Sequence, residues 1–136
     1  MFTKRTSIVC IMLPFLLVLS PSGLAQISVP EKYELPELTE LSGTEFGTVN
    51  SFRRAFFVDE RAFVVQRERN GRYYLLVLES PNFFSGVCAR RPQQVRRMGA
   101  TYFLACGGDR RGIPIVRFYV FESREQMLEV TARLQP

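Results

Sequence analysis

The sequence predicts an α+β fold: a small antiparallel sheet of about four or five strands in two β-hairpins, with one short helix, a C-terminal helix and one disulfide. Three observations carry this. Asn70-Gly71 stands between two runs rich in Val, Leu, Phe and Tyr. Two more apolar runs, 101–106 and 113–121, flank a glycine-rich link. Ser123 opens a stretch whose apolar residues follow helical spacing as far as Leu134.

Residues 1–25 read as a secretory signal peptide. Lys4 and Arg5 form a basic start, an apolar core runs from Ile8 to about Leu19, and Ser20, Pro21, Ser22 and Gly23 break it. Gly23 and Ala25 fit the small-x-small cleavage rule, which makes Gln26 the expected mature start. The apolar run is too short to cross about 30 Å of hydrocarbon. No stable membrane insertion is expected after cleavage, and the chain is placed as exported, periplasmic or extracellular. Export leaves Cys88 and Cys106, an even pair in an oxidising compartment, so a disulfide between them is expected. Closing its loop of about 17 residues is worth about 3 kcal/mol.

Residues 26–49 read as an acidic extended leader. Glu31, Glu34, Glu37, Glu40 and Glu45 face a single basic residue, Lys32, among Pro30, Pro36, Gly43 and Gly47. One turn of helix is expected at 37–41. The leader is either a solvated tail or a segment that folds back on the basic domain and shields its arginines. That domain, residues 50–136, is the α+β unit and carries 15 arginines against eight acids.

Within it, 52–58 is expected to add a first strand. Asn70-Gly71 is then the strongest short hairpin signal, since both positions of a type I′ turn need positive φ. That turn pairs Arg69 with Arg72, Arg67 with Tyr74, Val65 with Leu76 and Phe63 with Leu78. Both faces are apolar away from the tip, so the hairpin belongs at the centre of a sheet covered on both sides. Pro92 opens and Gly99 ends an expected short helix over 93–98. Strands at 101–106 and 113–121 make the second hairpin, with Pro114 pointing to an edge or a late start. Ser123 and Gln126 suggest a capping box for the last helix, with Met127, Leu128, Val130 and Leu134 as its apolar stripe.

The run from Arg117 to Leu134, with Phe121 at a strand end, Arg124 entering a helix and Leu134 closing it, resembles the second half of a SPOR domain. Residues 73–79, the arginine-rich segment and 101–105 would fill that family's first strand, first helix and second strand. The chain departs from the pattern at Tyr119, where the family usually has glycine, and at Met127, where it favours alanine. The resemblance implies a periplasmic module that binds peptidoglycan glycans.

The absence of histidine excludes Ser-His-Asp and Cys-His catalysis and His-ligated metals. Catalysis would rest on Asp59, Glu60, Glu68, Glu79 or Asp109, and no pair among them suits a glycosidase cleft. A non-enzymatic protein without cofactor or metal is expected. Guanidinium suits bidentate contact with carboxylate or phosphate. The expected function is therefore binding of an anionic cell-envelope polymer, peptidoglycan or a similar glycan, by Arg67, Arg69, Arg72, Arg90, Arg91, Arg96 and Arg97, with Tyr74 beside the hairpin tip. Export argues against nucleic acid. The alternative is a protein–protein module, an inhibitor or accessory subunit bound to an envelope protein through the adjacent pair Phe83 and Phe84.

Overall fold

The computed structural model of the chain describes residues 29–81, 93–106 and 112–136. The signal segment, Phe83, Phe84, Cys88, Arg90 and Arg91 lie outside the described residues. The expected Cys88–Cys106 bridge therefore lies outside them too, and among the described residues no disulfide is found.

The α+β class holds, with a curled antiparallel sheet and two helices. Among the described residues the sheet has seven strands, not the expected four or five. These are β1 (Thr39–Leu41), β2 (Arg54–Phe57), β3 (Ala62–Gln66), β4 (Tyr73–Leu78), β5 (Gln93–Met98), β6 (Thr101–Cys106) and β7 (Ile113–Val120). Their spatial order is β2-β3-β4-β7-β6-β5, with β1 also paired to β7. The helices are α1 (Gly43–Phe46) and α2 (Arg124–Leu134).

The β3–β4 hairpin sits at the centre of this sheet and is covered on both faces. Ala62, Val64, Leu75 and Val77 face one hydrophobic cluster. Phe63, Val65, Tyr74, Leu76 and Leu78 face the other. Its register differs from the expected one by two residues, with Val65 opposite Tyr74 and Phe63 opposite Leu76. The turn is wider than a type I′ turn. Arg67 N–H donates to Arg72 O, Gly71 N–H donates to Arg67 O, and Gly71 alone takes positive φ, at 67°. The expected turn needed positive φ at Asn70 as well. A shift of two residues preserves which side chains share a face, because the strand period is two.

Residues 93–98 form strand β5, where a short helix was expected. Their only buried residue is Val95, so they carry no helical stripe to bury. Gly99, with φ of 62°, instead makes a tight turn into β6, which pairs Met98 with Thr101 and Val95 with Leu104. A glycine at the first turn position with no positive φ at the second is the pattern of a type II′ hairpin. Of the second expected hairpin, β6 and β7 pair only at Phe103–Pro114 and Leu104–Ile113.

Residues 29–49 are woven into the fold. A 3-10 turn, Glu31–Tyr33, leads to β1, which pairs with the end of β7 at Thr39–Val120, Glu40–Tyr119 and Leu41–Phe118. The helical turn expected at 37–41 is displaced to α1. There Ser42 accepts from Glu45 N–H while the Glu45 carboxylate accepts from Ser42 N–H. Helix α2 is capped as expected by Ser123, which accepts from Gln126 N–H at 3.1 Å. The Gln126 side chain accepts from Glu122 N–H, not from that of the cap residue. The α2 stripe is Met127, Val130, Thr131 and Leu134, a strict i, i+3, i+4, i+7 set. Leu128 lies off that stripe and is 52% exposed.

Two cores result. On one face of the sheet, α2 and the segment's Tyr33, Leu35 and Leu38 cover β3, β4 and β7. On the other face, Phe46 of α1 packs with Phe63, Tyr74, Leu104 and Phe118. Among the described residues no helix is long and apolar enough to cross a membrane.

Candidate functional site

Antiparallel pairing decides where the arginines go. The start of β2, the β3–β4 turn and the β5–β6 turn all lie at the same end of the strands. Arg53 and Arg54 stand at the start of β2, Arg67, Arg69 and Arg72 at the β3–β4 turn, and Arg96 and Arg97 near the β5–β6 turn. Six of these seven are exposed; Arg67 is half-buried. A two-residue link carries the chain from Phe46, beside the β3–β4 turn, to Val49. Val49 bridges Val95 of β5 with backbone bonds of 3.1 and 2.9 Å and ties the β5 side to that end.

The individual residues differ in role. Arg67 turns inward. Its Nη1 donates to Phe46 O at 2.7 Å, and its guanidinium stacks on the rings of Phe46 at 5.0 Å and Tyr74 at 5.8 Å. It therefore fastens α1 to the hairpin. Tyr74 is buried, edge-on to Phe46 at 5.2 Å, and its hydroxyl accepts from Asn70 Nδ2 at 3.0 Å. Arg97 donates through Nε to Gly99 O at 2.7 Å and lies over the Tyr102 ring at 5.6 Å. Arg96 donates to Gln94 Oε1 from Nε and Nη2. Arg53, Arg54, Arg69 and Arg72 make no ion pair among the described residues. Arg53 and Arg54 were not singled out from the sequence. The adjacent pair just before an apolar run was the signal that could have found them.

The three ion pairs among the described residues all tie the acidic segment to the body. Lys32 pairs with Asp59 at 2.7 Å, Arg117 with Glu40 at 3.2 Å, and Arg133 with Glu37. Asp59, in the β2–β3 turn, is the most enclosed of these groups, with a side chain 4% exposed. One oxygen accepts from Lys32 Nζ and from Tyr33 Oη at 2.8 Å. The other accepts from Arg61 N–H at 2.9 Å and Ala62 N–H at 2.7 Å. Burial alone would push this carboxyl up, but the donors, Lys32 first, hold it below the ordinary range. Tyr33 is pushed up to about 12 by burial and by its bond to Asp59. Asp59, a carboxylate considered for catalysis, thus spends its acceptors on structure. Glu68 and Glu79 lie at opposite ends of the hairpin.

A cleft of about 690 Å³ opens where β1 and β6 part on β7. Its walls come from Glu40–Thr44, from Ala100–Phe103 and from Pro114–Val116. Among the described residues, no group of three or more His, Cys, Asp or Glu could hold a metal ion. Comparison with protein-family models, with curated proteins and with solved structures finds no match to this chain.

Proposed function

We propose that this chain is an exported, non-catalytic binding domain that contacts an anionic polymer of the cell envelope through the arginine end of its sheet. One observation supports the reading above others: strand topology gathers six exposed arginines at one end, and Arg53, Arg54, Arg69 and Arg72 have no acidic partner among the described residues. Guanidinium groups left unpaired are available to carboxylate or phosphate. The likeness of the Arg117–Leu134 run to SPOR modules makes peptidoglycan the first polymer to test. The same reading holds residues 1–25 to be a cleaved signal, so the mature protein begins at Gln26 in the periplasm or outside the cell.

Co-sedimentation of the mature protein with insoluble peptidoglycan, at low and high salt, tests this. Exposed charges separated by more than about 10 Å are largely screened at 0.1 M salt. Binding should therefore weaken several-fold between about 0.03 and 0.3 M salt, and the Arg69→Gln/Arg72→Gln variant should bind several-fold less than wild type at the lower one. Binding indifferent to both salt and variant would remove the arginine end from the function.

A further inference from the structure

Resting on the anionic-polymer reading above, we propose that the polymer is a polysaccharide whose acid groups sit on its sugar rings. Arg54, Phe56, Gln66 and Tyr73 form the surface on which one such unit lies.

Strand register assembles the patch. Arg54 of β2 stands opposite Gln66 of β3, and Gln66 stands opposite Tyr73 of β4. Phe56 comes two residues after Arg54 and opposes Val64. Opposed residues share a face of the sheet, and so do residues two apart on one strand. Val64 belongs to the cluster that α2 helps to cover. All four side chains therefore stand on the α2 face, at its arginine end. With strands about 4.8 Å apart and alternate residues about 6.8 Å apart, the patch measures about 10 by 7 Å, the scale of a disaccharide.

Phe56 is out of place for a side chain that only packs. Val64 and Leu75, in line with it on β3 and β4, are fully buried, whereas Phe56 is 39% exposed and belongs to neither hydrophobic cluster. Both cores close without it. It stands on the edge strand β2, where charged side chains usually guard the surface. A lone apolar side chain on a surface needs no explanation. This one shares its face with an arginine two residues away that has no acidic partner among the described residues. An apolar ring beside an unpaired guanidinium suits a ligand with an apolar face next to an acid group. A pyranose ring bearing a carboxylate is such a ligand. Its C–H face lies on the aromatic ring, and its carboxylate takes a bidentate contact from Arg54. Its hydroxyls meet an amide and a phenol. Gln66 Nε2 donates one N–H to Gly71 O at 3.0 Å, and the Gln66 carbonyl oxygen remains an acceptor. Tyr73, half-buried against the core, carries the phenol hydroxyl. A polyphosphate or an acidic peptide would use the arginines and leave Phe56 idle.

Fluorescence anisotropy of the mature protein with labelled polygalacturonate, and with polyglutamate of matched charge, tests the assignment. Both should bind at about 0.03 M salt through the arginines. At about 0.3 M polyglutamate binding should be lost, while weakened polygalacturonate binding persists, because apolar stacking is not screened. Phe56→Gln should weaken polygalacturonate binding by about tenfold, equivalent to about 1.4 kcal/mol, and leave polyglutamate binding unchanged. Phe56→Leu, apolar but without a ring, should weaken it several-fold with an unchanged urea melt. Phe56→Tyr, which keeps the ring, should bind as wild type does. Arg54→Gln should weaken the binding of both polymers. Equal affinity for the two polymers at both salts, or Phe56→Gln and Phe56→Leu variants that bind polygalacturonate as wild type does, would overturn the proposal and leave the arginine end a plain anion surface. Binding of neither polymer would overturn this proposal and the anionic-polymer reading together.

Discussion

Asp59 shows how one side chain can decide whether a distant segment stays docked. Four donors converge on it from two directions: Arg61 and Ala62 from its own turn, Lys32 and Tyr33 from a segment 26 or 27 residues earlier. Removing the charge leaves those donors without an ionic acceptor, so Asp59→Asn should cost about 2 kcal/mol at neutral pH. The sign of the pH dependence is set by the lowered folded value of Asp59. The stabilisation is fully present above the ordinary carboxylate range near pH 4 and is lost as pH falls through the folded value. Tyr33 acts in the opposite sense, because its folded value is raised to about 12. Its contribution is present below about pH 10 and is lost between about 10 and 12. Urea melts across pH should show wild type losing stability at both ends. Asp59→Asn should flatten the acid limb and Tyr33→Phe the alkaline one. Parallel curves for wild type and both variants would mean that this cluster contributes nothing ionic.

At the scale of elements, the β3–β4 turn isolates what a single backbone angle is worth. Gly71 holds φ of 67° while Asn70 does not enter the positive region. An alanine at position 71 would take the left-handed conformation at a cost of about 1–2 kcal/mol. Gly71→Ala should lose about that much in a urea melt, whereas Asn70→Asp, which keeps the oxygen that accepts from Arg72 N–H, should lose much less. Equal losses would show that the turn is held by side-chain bonds instead of backbone geometry. The same turn marks the limit of what the sequence makes legible. Asn-Gly located the hairpin and its two buried faces correctly, because alternation and turn chemistry are local. It did not give the loop length, because a glycine with positive φ ends a wider loop as readily as it completes a two-residue one. Residues 93–98 failed for a related reason. With Val95 their only buried residue, neither period is written in them, and pairing with β6 decides. The inward role of Arg67 was not legible either, since its acceptor, Phe46 O, lies 21 residues away. The arginine end itself was partly visible, in Arg69 and Arg72 at the tip and in Arg96 and Arg97, but not in Arg53 and Arg54.

For the whole molecule, the question is whether residues 29–41 are an attachment or a part of the core. Charge made this segment look separable, and its ion pairs would leave it so. Outside the Asp59 cluster its two pairs, through Glu37 and Glu40, are substantially exposed, and exposed pairs are worth about 0–1 kcal/mol each. Its apolar residues argue otherwise. Tyr33, Leu35 and Leu38 are buried with Leu75, Val77 and Tyr119 on the face of the sheet that also carries α2. Tyr119 also donates its hydroxyl to Tyr33 O at 2.8 Å. At about 1.5–3 kcal/mol for each buried side chain, the three together supply about 4.5–9 kcal/mol. That matches much of the total stability of a domain, about 5–15 kcal/mol. Losing β1 also strips the end of β7 of its second partner and exposes that stretch of edge. A chain beginning at Ser42 should therefore show no cooperative urea transition and should associate. In contrast, Glu37→Gln with Glu40→Gln in the full mature chain should cost no more than about 2 kcal/mol and leave the transition cooperative. A truncated chain that melts cooperatively within about 2 kcal/mol of the full one would show that the sheet and α2 close the core without the segment. The burial of Tyr33, Leu35 and Leu38 would then be a consequence of folding and not a requirement for it.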